Sequence, residues 1–365
     1  MVAALNMFAW ITSAVVFLAV HAPIIFSTSA LNSEIEGIVV DKKSGEPLPM
    51  VHVYLSHTTS GTVTDGNGLF RFSTGLTGSF ELVFSYIGYK TNIQELLLSH
   101  FDNNYHFEIE LQPESIELEE LEVRASNREW QEHFREFRHH FLGTTRYASE
   151  SEIRNPWVID FWRNEGGGLC AVSNEPITVV NHALGYEIHI DLVEFSWDRS
   201  GKTGFYKFYS MFTEMQPENN RQRRTWERAR ERAYRGSFEH FLKSLYNQSL
   251  SGSRFKVLES ETGIPVHIDE LSLSDIRRMG GTRIRSVNDG LKGYRITVPV
   301  YVIYKRGVGT SADREVSRIV AMQASGLFLI TPSGRLFDPA SLRLDGVWSN
   351  HRVGNLLPDD YSLRD

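Results

Sequence analysis

The sequence predicts two folded units, an all-β sandwich of seven short strands within residues 31–113 and an α+β region over 129–365. Between 34 and 111 apolar and polar residues alternate in short runs separated by turn residues, the period of half-buried strands. After residue 128 the apolar spacing lengthens to a helical period in two stretches and returns to strand-like runs between and after them. At 365 residues the chain also exceeds the ~250 to 300 residues at which single cores usually stop growing.

Residues 1–30 contain no Lys, Arg, Asp or Glu, and 8–26 is apolar apart from Thr12, Ser13 and His21. This is the pattern of an export signal, with Thr28 and Ala30 as the small residues before a cleavage that leaves Leu31 first. The n-region lacks the usual positive charge, and the apolar run, left uncut, is long enough to reach across a bilayer; Pro23 and the small residues after Phe26 point to cleavage. With no Cys near the site, a lipoprotein anchor is not expected there. The expected location is therefore the periplasm or the outer membrane, with membrane contact only through the signal if it is retained.

The first unit reads as strand and turn in succession. Ile35, Gly37 and Val39 alternate with Glu36 and Ile38 before Ser44-Gly45-Glu46-Pro47 breaks the run, and Val51, Val53 and Leu55 alternate with His52 and Tyr54. Residues 61–64 lead into Asp65-Gly66-Asn67-Gly68, a turn whose Asp and Asn side chains bond nearby N–H groups while glycine takes positive φ, and 69–72 returns. Runs at 80–86, 93–98 and 105–111 complete the seven, the last with Tyr105, Phe107, Ile109 and Leu111 on one face. Seven such strands in about eighty residues make a sandwich.

Ile35-Glu36-Gly37-Ile38-Val39-Val40-Asp41, Gly45-Glu46-Pro47-Leu48-Pro49, Val51-His52-Val53-Tyr54-Leu55, Thr64 to Phe70 and Tyr86-Ile87-Gly88-Tyr89 resemble the carboxypeptidase regulatory-like domain. The resemblance implies a transthyretin-like (prealbumin-like) sandwich, appended in that family to carboxypeptidases or placed at the N-terminus of TonB-dependent outer-membrane receptors, and implies no peptidase activity for the module itself. Residues 114–128, rich in Glu and Ser, read as an acidic linker, and Leu118 to Ala125 is similar to the segment that follows the module in such receptors. A receptor barrel needs many strands of ~9 to 11 residues, more than 129–365 supplies.

The second unit opens with a helix over 128–142, where Trp130, Phe134, Phe137 and Phe141 recur at helical spacing. Strands are expected at 157–162, 169–172, 177–180, 186–197 and 202–208, a helix at 225–249, and strands at 255–258, 294–304, 316–321 and 327–330. Asn155-Pro156, Leu184-Gly185-Tyr186, 226–236 and 356–361 resemble an envelope family in which this sandwich precedes such a domain; that likeness implies the architecture and no activity.

Composition excludes more than it identifies. A net charge of −7 argues against a general polyanion binder, so no nucleic-acid partner is expected, and Cys170, the only cysteine, permits no intrachain disulfide and reads as a small buried hydrophobe. Among 13 histidines, two His-x-x-Glu pairs occur, His133 with Glu136 and His267 with Glu270. A zinc peptidase needs such a pair plus a distant third ligand and an open position for water. In carboxypeptidases the regulatory-like module follows the catalytic domain, whereas here it comes first, so no catalytic, cofactor or metal residue is assigned. His133 and Glu136 are expected to be solvated or at the rim of their helix, and His267 and Glu270 to lie in a loop. No Gly-x-Ser-x-Gly elbow or phosphate-binding Gly-x-x-x-x-Gly-Lys-Ser/Thr loop is present. Asp65 and Asn67 suggest a tight turn in preference to a calcium loop. Trp157, Trp162 and Trp197 are open to two readings, core residues or a glycan platform.

The strongest charge feature is 221–235, where Arg221, Arg223, Arg224, Arg228, Arg230, Arg232 and Arg235 face only Glu227 and Glu231. Arg221, Arg223, Arg224, Arg228, Arg230 and Arg232 are the candidate anion-binding residues, because guanidinium forks bind carboxylate and phosphate in pairs of hydrogen bonds. The alternative is a solvated helix face on which Glu227 pairs with Arg223, Arg224 or Arg230. The function expected is a non-enzymatic exported envelope protein: a docking or bracing sandwich and an α+β region that contacts an envelope protein or polysaccharide. A metallopeptidase-like hydrolase and an anionic-glycan binder are the alternatives.

Overall fold

The computed structural model describes residues 32–99, 104–114, 128–200, 203–280, 290–306 and 314–363. The expected signal at 1–30 and nearly all of the expected linker lie outside them. Strand β1 (Ser33–Asp41) shows how the alternation becomes structure: every second residue from Ser33 to Asp41 is buried and those between are half-buried. With β2 (His52–Leu55), β3 (Gly61–Val63), β4 (Leu69–Thr74), β5 (Gly78–Ser85), β6 (Asn92–Leu98) and β7 (Asn104–Leu111) it builds the sandwich that the sequence predicts. One sheet has the order β4-β1-β7 and the other β3-β2-β5-β6. Ile35, Val39, Val53, Leu55, Phe84 and Leu111 fill the space between them. The turn at 65–68 forms as read: Asp65 Oδ1 accepts from the N–H groups of Asn67 and Leu69, both at 2.9 Å. Gly68, at φ +72°, takes the left-handed position there.

The α+β region begins with α1 (Arg128–Leu142), the helix expected, and the short α2 (Arg146–Ser149). Strands β8 (Ser151–Ile153), β9 (Ile159–Arg163), β10 (Leu169–Ser173), β11 (Ile177–Asn181), β12 (Tyr186–Asp198) and β13 (Thr203–Glu214) form a six-stranded sheet, order β8-β11-β12-β10-β9 with β13 on the far side of β12. Ile188, Ile190 and Leu192 of β12 face the core with Phe137 and Phe141 of α1. A bulge between Leu192 and Glu194 shifts the register, so Phe195 returns to that same core. Trp157 sits in a 3-10 turn at Pro156–Val158, outside the strand expected to hold it. Trp157 and Trp162 are 48% and 45% exposed, not core: Trp157 lies before β9, and Trp162 alternates along it with Phe161, which packs on the core.

The helix expected at 225–249 is two helices, α3 (Asn220–Tyr234) and α4 (Phe238–Tyr246). Gly236, at φ +86°, breaks them, and a Cβ there would lie 2.5 Å from the Tyr304 ring. Its carbonyl accepts from Trp348 Nε1 at 2.7 Å. Beyond α4 lie β14 (Phe255–Glu259), α5 (Leu273–Gly280), β15 (Lys292–Arg295), β16 (Val300–Lys305), β17 (Arg314–Ala321), β18 (Leu327–Ile330) and β19 (Leu342–Gly346). The strand expected at 294–304 splits in two, with Pro299 between, since proline supplies no ladder donor. β14, β16, β17 and β19 make a four-stranded sheet. Phe241, Phe255, Tyr294, Val302, Tyr304 and Trp348 pack there as a core separate from that beneath α1.

Candidate functional site

The two faces of β12 have different neighbours. Opposite the core face, His189 and Asp191 meet the outer face of the sandwich sheet. Asp191 accepts hydrogen bonds from the Tyr54 hydroxyl at 2.5 Å, the Ser85 hydroxyl at 2.7 Å and the Thr91 hydroxyl at 3.4 Å. Tyr54 and Val83 of the sandwich pack against Tyr209 of β13. Burial raises the Asp191 carboxyl above its ordinary value, against the lowering effect of its three hydroxyl donors and His52. The Tyr54 phenol is pushed well up by burial and by the same carboxylate. The His52 ring lies 5.5 Å from that of His189, and burial together with His189 lowers its pKa.

Beside this contact the β2–β3 hairpin tip joins the edge of β13. His57 N–H donates to Ser210 O at 2.6 Å, and Phe212 N–H donates to Thr58 O at 2.9 Å. The C-terminal segment closes the other side. Asp359 N–H donates to His57 O at 2.8 Å, Asp360 accepts from Thr59, and Asp359 pairs with Arg335. Burial lifts Asp359 to about 6 against the opposing pull of Arg335. The chain thus welds the sandwich to β13 and the tail through backbone, carboxylate and hydroxyl groups together. His57 Nδ1 also lies 2.8 Å from Ser210 Oγ, but Ser210 is 0% exposed, so no substrate carbonyl reaches this serine.

The His-x-x-Glu pairs do not become ligand sets. Glu136 is clamped by Arg163 at 2.7 Å and by Arg199. Burial opposes its ionisation, but the hydrogen bonds of Arg199 and Arg163 prevail and hold the carboxyl at about 2. It is a half-buried member of an ion triad, because α1 sets it over β9. His267 pairs with Asp269 at 3.5 Å, and Glu270 engages Lys292 and Gln248, each at 3.1 Å. Among the described residues no three His, Cys, Asp or Glu side chains are grouped to hold a metal. Cys170 is buried, as expected, and Trp197 stacks on His140 at 3.6 Å.

The arginine segment divides. Arg221, Arg223, Arg224, Arg228 and Arg232 are exposed, and Arg235 pairs with Glu231 at 2.8 Å. Arg230, which the sequence grouped with the exposed set, is buried. Its guanidinium donates to Leu184 O at 2.7 Å and Gly185 O at 3.0 Å, pairs with Glu214 at 3.0 Å and lies 3.9 Å over the Tyr186 ring. It is a packing residue because it shares the inward face of α3 with Trp226 and Ala233. Concavities among the described residues include a cleft and a groove. A cleft by Tyr234, Lys243 and Pro358 holds about 20 Å³, room for a water and not for an organic ligand. An open groove of about 250 Å³ is lined by Lys42, Lys90, Asn92 and Glu110 on the sandwich.

The sequence assigned no role to Asp191, His52, His57, Asp359 or Asp360, since each acts through partners far along the chain; His52 entered only as a strand residue and in a resemblance, and the 356–361 segment only through a resemblance. The one local sign is the run Glu187, His189, Asp191, a polar face on a long strand whose other face is wholly apolar.

A two-layer, seven-stranded module followed by an α+β region is thus the class of protein that this chain represents. Residues 35–123 match the family model described as the CarboxypepD_reg-like domain, and that stretch is a domain of this kind. No curated protein matches the chain. Among solved structures, the group B streptococcus pilus 2b backbone protein aligns at 14% identity and TM-score 0.20 over 23% of this chain and 42% of its own. A DUF3823 family protein from Bacteroides ovatus aligns at 12% identity and TM-score 0.16 over 51% of this chain and 82% of its own. A proposed carbohydrate-binding protein from Bacteroides uniformis aligns at 8% and TM-score 0.17 over 50% and 79%. The chain therefore spans less than half the length of the streptococcal protein, and TM-scores this low carry no weight for function.

Proposed function

We propose that this is a non-catalytic exported envelope protein in which the CarboxypepD_reg-like sandwich braces an α+β region that engages a partner in the envelope. The observation that carries the reading is the weld at Asp191: the outer face of β5 and β2 is buried against β12 and β13. A module fixed in this way stiffens what it touches, whereas one held only by a linker swings freely. Strand β6, an outer strand with Ile93 and Leu97 exposed, leaves the sandwich an edge for pairing with another chain. A hydrolase reading loses support because Glu136 and Glu270, the carboxylates it would use, are engaged by Arg163, Arg199 and Lys292.

Deleting 33–112 tests the bracing. The remaining chain is expected to lose its cooperative melting transition and its capture of envelope partners; an unchanged melt would sink the reading. Export is tested by fractionation and N-terminal sequencing, with Leu31 expected as the first residue of chains from the envelope and recovery from the cytosol as the contrary result. Stoichiometric zinc in the purified protein would restore the hydrolase.

A further inference from the structure

The arginines of α3 are ordered by the helix. Arg221, Arg224, Arg228 and Arg232 follow at intervals of 3, 4 and 4 residues, which places them on one face, and all are exposed. Trp226, Arg230 and Ala233 occupy the buried face opposite. At ~1.5 Å per residue the stripe is about 16 Å long, with a guanidinium every ~5 to 6 Å.

This arrangement works against the helix. The first turn of α3 carries no acid, so Arg221, Arg223 and Arg224 crowd the positive end of its dipole, and Arg224, Arg228 and Arg232 repel one another at i,i+4. A bound anion would offset both effects. The neighbouring arginines are already paired: Arg306, after β16, donates to the Arg232 carbonyl at 3.4 Å and pairs with Glu315, and Arg146 of α2 pairs with Glu150. The apolar side of α3 is committed to the core, so the helix has nothing to insert into a bilayer. The ligand is therefore read by charge alone, along a line.

We propose that the outward face of α3 binds an anionic polysaccharide carrying carboxylates at regular intervals. The step between successive arginines is close to the length of one sugar ring in an extended polymer, and each guanidinium fork suits one carboxylate. The choice of polysaccharide over nucleic acid rests on the exported reading above.

The test uses the intact chain and polygalacturonate as the probe, with neutral dextran, phosphatidylglycerol vesicles and single-stranded DNA alongside, followed by calorimetry. Polygalacturonate is expected to bind, with affinity falling roughly tenfold or more between about 50 and 200 mM salt. The triple variant R221E/R224E/R228E is expected to abolish binding while the circular dichroism spectrum is kept. Folding of this variant is favoured, because acids suit the N-terminal turn. Binding no stronger than to dextran, binding unchanged in the triple variant, or equal affinity for vesicles or DNA at the same salt overturns the proposal. Fractionation tests the export reading separately, so failure of one is distinguishable from failure of the other.

Discussion

His240 shows how one buried imidazole links the fold to pH. It is 8% exposed, and its Nδ1 accepts from Gly236 N–H at 3.1 Å, a bond that exists only while the ring is neutral. Burial, helped by Arg235, pushes its pKa down from 6.5 to about 4. With the folded value depressed, the neutral ring stabilises the fold above about 6.5, and that stability is lost as pH falls through about 4. His240→Asn keeps an acceptor at the same place without the titration. The variant should show a shallower fall of melting temperature between these pH values than the parent, and an identical slope would refute the assignment. Asp359 has the opposite sign: its pKa is raised to about 6, so protonation stabilises the fold at low pH, and this contribution is lost as pH rises through about 6. Arg230 carries a lesson in identity at the same scale. Six arginines look alike in the sequence, yet only this one has two carbonyls and an aromatic face beneath it.

At the scale of elements, the break between α3 and α4 sets the join of the two cores of the α+β region. Gly236 adopts φ +86°, and a Cβ there meets Tyr304 and the Glu315 carboxylate. Gly236→Ala therefore combines backbone strain with a clash beside a buried tryptophan bond, at an expected cost of about 2 to 4 kcal/mol. Urea unfolding is the check, and a loss under about 0.5 kcal/mol, the level of an ordinary surface change, would contradict it. The apolar spacing that suggested one helix over 225–249 was correct on both sides of the break, as Trp226, Ala233, Leu242 and Leu245 are all buried. Periodicity alone does not show that the two stripes face different cores. β8, α5 and β19 are 3, 8 and 5 residues long, too short for their periods to rise above the surrounding pattern.

For the molecule as a whole, the decisive contact lies between residues 137 positions apart, Tyr54 and Asp191. Asp191→Ala would leave the Tyr54 and Ser85 hydroxyls without their acceptor at the seam, a loss of about 1 to 3 kcal/mol. Asp191→Asn should cost less, because it retains an acceptor and removes a charge that burial disfavours. The expected order of melting temperatures is parent, then Asn, then Ala, with faster hydrogen exchange in β2 and β12 of the Ala variant. Protection unchanged in both strands would mean that the seam is not what holds the sandwich.

By itself the sequence determined the sandwich strands, α1, the turn at Asp65 and the arginine run on α3, since each is written in spacings of two to four residues that a local backbone must obey. Tertiary structure alone decided that Arg230 packs, that Glu136 joins two arginines, and that the sandwich is welded at Asp191 and His57. These depend on which distant surfaces meet. A polar residue reads the same whether its neighbour is water or a hydroxyl brought from a hundred residues away.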